Sequence, residues 1–237
     1  MLKVTTSWDD GDMLDERLAA MLDQHGLKGT FYVARNHERR TLSEERIREL
    51  SKRCEIGAHT LTHPDLSAIS LADAKGEIEG SKKWLEGVSG KEIKMFCYPK
   101  GRYTPAVRDL VENAGFKGAR TTKAFSLERG PIYEMETTVH VYPFPLRPGA
   151  GLRRMLMPLQ ERYGGFRQLG ASIIDCRSWE SATKAVFDEA VKKEGVFHLW
   201  GHSWEVEKYN MWKPLERVFA YIGKRSECSY VTNGELV

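Results

Sequence analysis

Lys3-Val4-Thr5-Thr6-Ser7 and Gly29-Thr30-Phe31-Tyr32-Val33-Ala34 are β-rich runs on either side of a segment with a different period. Between them Leu14, Leu18, Met21 and Leu22 recur at helical spacing, and Gly26 follows where a helix end favours a left-handed residue. Strand, helix and strand in so short a span predict two parallel strands joined by a helical crossover.

The same alternation continues along the chain. Further strands are expected at Glu55–Ala58, Lys94–Tyr98, Phe116–Arg120, Thr138–Tyr142, Ala171–Asp175, Val196–Trp200 and Ser229–Thr232. Ser43, Ser70 and Ser181 read as helix N-caps, and Thr104-Pro105 as a cap followed by a first-turn proline. The basic, apolar run from Leu152 to Met157 reads as an ordinary amphipathic helix. Tyr142–Gly151, with three prolines and two glycines, reads as a loop, on the surface or beside the active face. No linker or repeat divides residues 1–237, so one α/β domain is expected, built as a barrel or as a doubly wound open sheet. Either architecture collects functional groups at the carboxyl ends of its strands.

Composition narrows the class. The 36 basic and 33 acidic residues are interleaved and the net charge is +3, which gives no concentrated basic face for nucleic acid. No stretch approaches the ~20 apolar residues of a membrane span, and no secretory signal is visible at the start. Four scattered cysteines without a CxxC pair fit a reduced, cytoplasmic protein. Self-association into a homo-oligomer stays open.

Four strand ends carry chemistry. Asp9 and Asp10 are adjacent carboxylates, which resist joint ionisation without a cation or donors nearby. One can hold a metal while the other takes a proton from water, although a solvated Asp-Gly turn has the same sequence. His59 and His63 can converge on one ion through neutral nitrogens, and Pro64 places them in a loop or single turn. Tyr98-Pro99-Lys100-Gly101-Arg102 is a turn that can offer a backbone N–H near Lys100 as oxyanion donor, and Arg102 to hold a carboxylate. In His198-Leu199-Trp200-Gly201-His202-Ser203-Trp204-Glu205, His202 is placed to protonate a leaving amine. His198 reads either as a functional group or as a core imidazole bonded to backbone. Tyr98, Lys100, Trp200 and Trp204 are the residues expected to touch substrate.

In this order the four segments resemble the polysaccharide deacetylases, carbohydrate esterase family 4, from Ser7 to Asn233. Ser7-Trp8-Asp9-Asp10-Gly11 is similar to that family's Thr-Phe-Asp-Asp-Gly motif, and His59-Thr60-Leu61-Thr62-His63 to its His-Ser/Thr-x-x-His motif. The resemblance implies a distorted (β/α) barrel of seven or eight mostly parallel strands. It implies one divalent ion on Asp10, His59 and His63, with zinc favoured and cobalt or nickel also suited. It further implies Asp9 as general base, His202 as general acid, and an acylated amino sugar or glycan precursor as substrate. Cys97 stands where the family usually carries an arginine, so Arg102 is expected to replace that arginine from the next turn. Asp175-Cys176-Arg177-Ser178-Trp179 is only a weak match to the family's Asp-x-x-Asp-Trp segment. Rival readings are a sugar deformylase or cyclic ureide or imide amidase on the same fold, and a carbohydrate-binding barrel without turnover.

Overall fold

The computed structural model describes residues 1–37, 40–149 and 151–237. Strands β1 (Leu2–Asp10), β2 (Gly29–Val33), β3 (Glu55–Ala58), β4 (Met95–Cys97), β5 (Gly118–Arg120), β6 (Val139–His140), β7 (Val196–Gly201) and β8 (Cys228–Tyr230) form one sheet. Its order is β5-β4-β3-β2-β1-β7-β6, with β8 also on β1, and every strand pairing is parallel. Helices α1 (Asp15–Gln24), α2 (Glu44–Leu50), α3 (Leu71–Ser89), α4 (Pro105–Asn113), α5 (Leu152–Gln168), α6 (Trp179–Lys193), α7 (Ser203–Lys208) and α8 (Trp212–Ile222) make the connections.

β1 is the centre of the sheet and is buried along its length except at Lys3. Its residues 3–8 pair with β7, residues 6–10 with β2, and residues 2–4 with β8, which extends the β2 edge where β2 has not yet begun. The sheet curls until its ends meet. Met135 bridges to β5 through Met135 N–H to Ala119 O (2.8 Å) and Thr121 N–H to Met135 O (2.9 Å). A few residues later Thr138 N–H reaches His198 O (2.9 Å) and Val141 N–H reaches Trp200 O (2.7 Å) on β7. The segment from Met135 to Val141 therefore closes a distorted barrel. Because all strands run one way, their carboxyl ends share one rim.

Local signals account for most of the elements. Ser43, Ser70 and Thr104 each accept the N–H of the residue three positions on, and Gly26 has φ +68 after α1. Two expectations are corrected. α6 is capped by Ser178, which accepts Ser181 N–H (3.1 Å), so Ser181 lies inside the first turn. Ala171–Asp175 is not a strand. Ser172 and Asp175 bond each other's backbone N–H at 2.8 and 3.1 Å, and this local turn outcompetes a ladder, leaving Ile173 and Ile174 exposed. Within the Tyr142–Gly151 loop, Ala150 lies outside the described residues.

His198, on β7, is a core imidazole. Its Nδ1–H donates to Glu136 O (3.2 Å) and its Nε2 accepts from Ser7 Oγ (2.8 Å). Burial, aided by the charge of Arg120, pushes its pKa down to about 3. The unfolded chain binds this proton near pH 6.5, so His198 adds stability above that pH, and the stability is lost as pH falls from about 6.5 toward 3. The slope is about 1.4 kcal/mol per pH unit. Urea unfolding between pH 7 and pH 4 should show this fall, and His198→Gln should flatten it; an unchanged slope in the variant would refute the assignment.

Candidate metal centre and active site

A cavity of about 610 Å³ opens on the strand-end rim, within the size range of small-molecule sites. Asp9 and Asp10, at the end of β1, both line it. A regular strand would send two neighbours to opposite faces. Asp10 escapes this with φ 78, and Gly11 continues the turn at φ 68, where a Cβ would come within 2.7 Å of Val33 Cγ1.

Asp10 is the hub. Trp204 Nε1–H donates to its Oδ2 at 2.8 Å. Its Oδ1 is buried without a hydrogen-bond partner. Around that oxygen stand His63 Nε2 at 3.5 Å, His59 Nε2 at 3.7 Å and His37 Nε2 at 3.7 Å. Burial works against its charge, yet the imidazoles of His202, His59 and His37 and the Trp204 N–H hold its carboxyl below the usual range. Donors about 2.0–2.1 Å from one tetrahedral ion lie roughly 3.4 Å apart. The spacing and chemistry of these atoms fit a shared divalent cation.

The two imidazoles are built as ligands. His59 Nδ1–H donates to Cys97 O (2.8 Å), which leaves the Nε2 lone pair facing Asp10. Burial lowers the pKa of His59, and burial with the neighbouring His59 pushes His63 down to about 3, so both are neutral at pH 7. The loop carrying them is strained at Thr60 (φ 68) and His63 (φ 57). It is pinned by Glu77 of α3, whose carboxylate accepts the N–H groups of Leu61 and Thr62 and the Thr62 hydroxyl at 2.7–2.8 Å.

Asp9 has a different partner. Arg120, fully buried at the end of β5, donates to Asp9 Oδ1. Its guanidinium lies over the rings of Trp200 (4.8 Å) and Tyr32 (5.2 Å). Cys97 Sγ is 3.8 Å from Asp9 Oδ2, and burial pushes that thiol well up, so it stays protonated. Arg102 does not reach the site. It is 66% exposed and paired with Asp65 at 2.8 Å, because the turn after β4 carries it outward.

His202 follows β7 and lines the cavity, with Nε2 3.9 Å from Asp10 Oδ2. Its Nδ1–H donates to Glu205 Oε2 at 2.7 Å. Burial opposes its charge, but Glu205 and Asp10 raise its pKa to about 9. His140 Nε2–H donates to the same Glu205 oxygen (3.1 Å), and Arg162 donates to His140 Nδ1 (2.9 Å). Burial lowers His140 to about 4, so this imidazole is neutral.

Of the expected substrate contacts, Lys100 and Trp204 line the cavity. Trp200 lines it too, but its ring is stacked by His140 (4.0 Å, 12°) and overlain by Arg120, so it is a packed wall rather than an open platform. Tyr98 is corrected: it is buried, bonded to Tyr133 O (3.0 Å) and stacked on Tyr103 (4.3 Å), outside the cavity lining. Asp175 bonds Ser172, while Trp179 Nε1 donates to His140 O (2.9 Å) behind the site. Sequence reading missed His37, Glu77, Arg120 and His140. Only His37 and Arg120 had a signal, their position at or just after an expected strand end; His140 fell inside the expected strand Thr138–Tyr142, and only the structure ends β6 there.

Residues 3–119 match the polysaccharide deacetylase family model. A Bacillus subtilis protein assigned to the polysaccharide deacetylases is 25% identical over 130 residues, covering 53% of this chain and 47% of its own, so the match spans about half of that relative. The chitin deacetylase of Colletotrichum lindemuthianum superposes with a TM-score of 0.58 at 16% identity, over 100% of this chain and 87% of its own. A Mycobacterium smegmatis structure assigned to the same deacetylases gives 0.69 at 15% identity, over 99% and 88%. At these identities the structural likeness carries the fold.

The Arg120–Asp9 pair generates a stability test. Removing Arg120 leaves a carboxylate buried without its cation, which costs about 3–5 kcal/mol. Arg120→Met should show this loss in urea unfolding, and Asp9→Asn combined with Arg120→Met should recover part of it. A double variant no more stable than Arg120→Met alone would mean that the two side chains do not act as a pair.

Proposed function

We propose that this chain, whose residues 3–119 match the polysaccharide deacetylase family model, is a metal-dependent hydrolase removing an N-acyl, most simply N-acetyl, group from an amino sugar or glycan precursor. The observation that carries this reading is the buried Asp10 Oδ1, unpartnered and ringed by imidazole nitrogens at 3.5–3.7 Å.

Asp10, His59 and His63 would hold the ion, with His37 within reach of the same position. Neutral imidazoles with one carboxylate suit zinc, and also cobalt or nickel. Such an ion supplies Lewis acidity, polarising an acyl carbonyl and acidifying a water. Asp9 accepts the water proton while Arg120 fixes its other oxygen, so the base keeps one orientation. His202 carries a proton on Nε2 toward the departing nitrogen, and Glu205 both orients the ring and favours its charged form. Without that proton an amide nitrogen is too poor a leaving group. The four cysteines are free, which supports a reducing, cytoplasmic setting. No helix among the described residues is long and apolar enough to cross a membrane.

Asp9→Asn should keep its metal content but lose about 10²–10⁴ in turnover. Metal analysis beside an assay of acid release checks both, and near-normal activity would remove Asp9 from the role of base. Chelation should abolish acid release, and adding back zinc should restore it. Scoring acetate, formate and ring opening on one substrate panel separates the deacetylase from the deformylase and cyclic amidase readings. Glu77→Ala should weaken metal binding by roughly 10–100-fold in a calorimetric titration, through loss of ligand positioning.

A further inference from the structure

One arc of the cavity has no counterpart in the reaction just described. Lys100 follows β4, Thr122 follows β5, and Arg162 reaches in from α5 beside His140 on β6; all three side chains line the cavity. β4 and β5 are neighbours, and the segment Met135–Val141 carries the barrel from β5 to β7, so the three follow one another round the rim. The turns approach closely: a Cβ on Gly101 would collide with the side chain of Thr122. Lys100 is held at φ 58, with its side chain exposed on the rim.

Among the described residues, neither Lys100 nor Arg162 forms an ion pair. The acids lining or backing the cavity are committed elsewhere: Asp9 to Arg120, Asp10 to the Trp204 N–H and the proposed cation position, and Glu205 to His140 and His202. Arg162 feels the charges of Glu205 and Glu161, but its direct contacts are a neutral imidazole and the ring of Tyr142 (4.6 Å) rather than a carboxylate. A guanidinium in a partly enclosed site, with N–H groups beyond its single bond to His140, is suited to a planar or tetrahedral oxyanion. Thr122 adds a hydroxyl between the two cations.

Resting on the hydrolase reading above, we propose that the substrate carries an anionic substituent, a carboxylate or a phosphate, and that Lys100, Thr122 and Arg162 seat it while the acyl group faces Asp9 and Asp10. The arc then sets which sugar is accepted and how it lies. It takes no part in bond breaking.

The test compares kcat/KM on three N-acetylated sugars of matched size, one neutral, one bearing a carboxylate and one bearing a phosphate, with zinc-loaded protein. Charge-assisted bonds predict an anionic-to-neutral preference of about 10–100-fold. Whichever anion gives the larger ratio identifies the source. Lys100→Met and Arg162→Met should each pull the ratio toward one, whereas Arg162→Lys should retain more of it. A neutral substrate turned over equally well or better, or a ratio untouched in both methionine variants, would overturn the proposal. If no sugar is hydrolysed, the hydrolase reading fails on its own, and equilibrium titration of Asp9→Asn protein with the same three sugars decides the arc. Tighter, Lys100-dependent binding of an anionic sugar upholds it, and equal binding of all three refutes it.

Discussion

Two carboxylates buried side by side at the end of one strand can both carry charge only if each meets its own compensation. Much of the architecture around the cavity answers that constraint. Asp9 meets a guanidinium delivered from β5. Asp10 meets the Trp204 N–H and the charged His202, while neutral imidazoles from the loops after β2 and β3 surround its free oxygen, where a cation fits. The division is geometric, because the left-handed backbone at Asp10 lets consecutive side chains serve one cavity. It also separates their chemistry. A carboxylate locked to arginine suits proton transfer, while one with an unpartnered oxygen among neutral nitrogens suits a cation.

The opposite wall repeats the logic with the sign reversed. Burial alone would neutralise His202, yet the proposed acid role requires its charged form. Glu205, placed one helical turn away on α7, supplies the compensating charge, and burial of Glu205 is in turn offset by His140 and His202. His140 stays neutral and accepts from Arg162, so a run of hydrogen bonds leads from the substrate-facing arginine to the proposed acid. The ring of Trp200 packs between these systems, touching both Arg120 and His140. It separates the Asp9–Arg120 side of the cavity from the Glu205–His202 side.

Features that depend on a few neighbouring residues were legible in the chain. Asp9 beside Asp10, His59 four residues from His63, the caps at Ser43, Ser70 and Thr104, and the strand–helix alternation all follow from local period and side-chain chemistry. The parallel sheet followed from them, and with it the prediction that these groups share a rim. Ser181 and Ala171–Asp175 misled because local hydrogen bonds, invisible to periodicity, favoured a neighbouring cap and a tight turn.

What only the tertiary structure decided is which distant side chain meets which carboxylate. Arg102 stood closest in sequence to the expected place, yet its turn points outward, and Arg120 arrives instead because β5 lies beside β4. His37 and Glu77 joined the site in the same way, from a loop after β2 and a helix outside β3. The sequence by itself determined the chemical parts and their strand-end placement, since both are set by neighbours along the chain. Their pairing depended on strand order, register and curl, which are set by packing across the whole barrel.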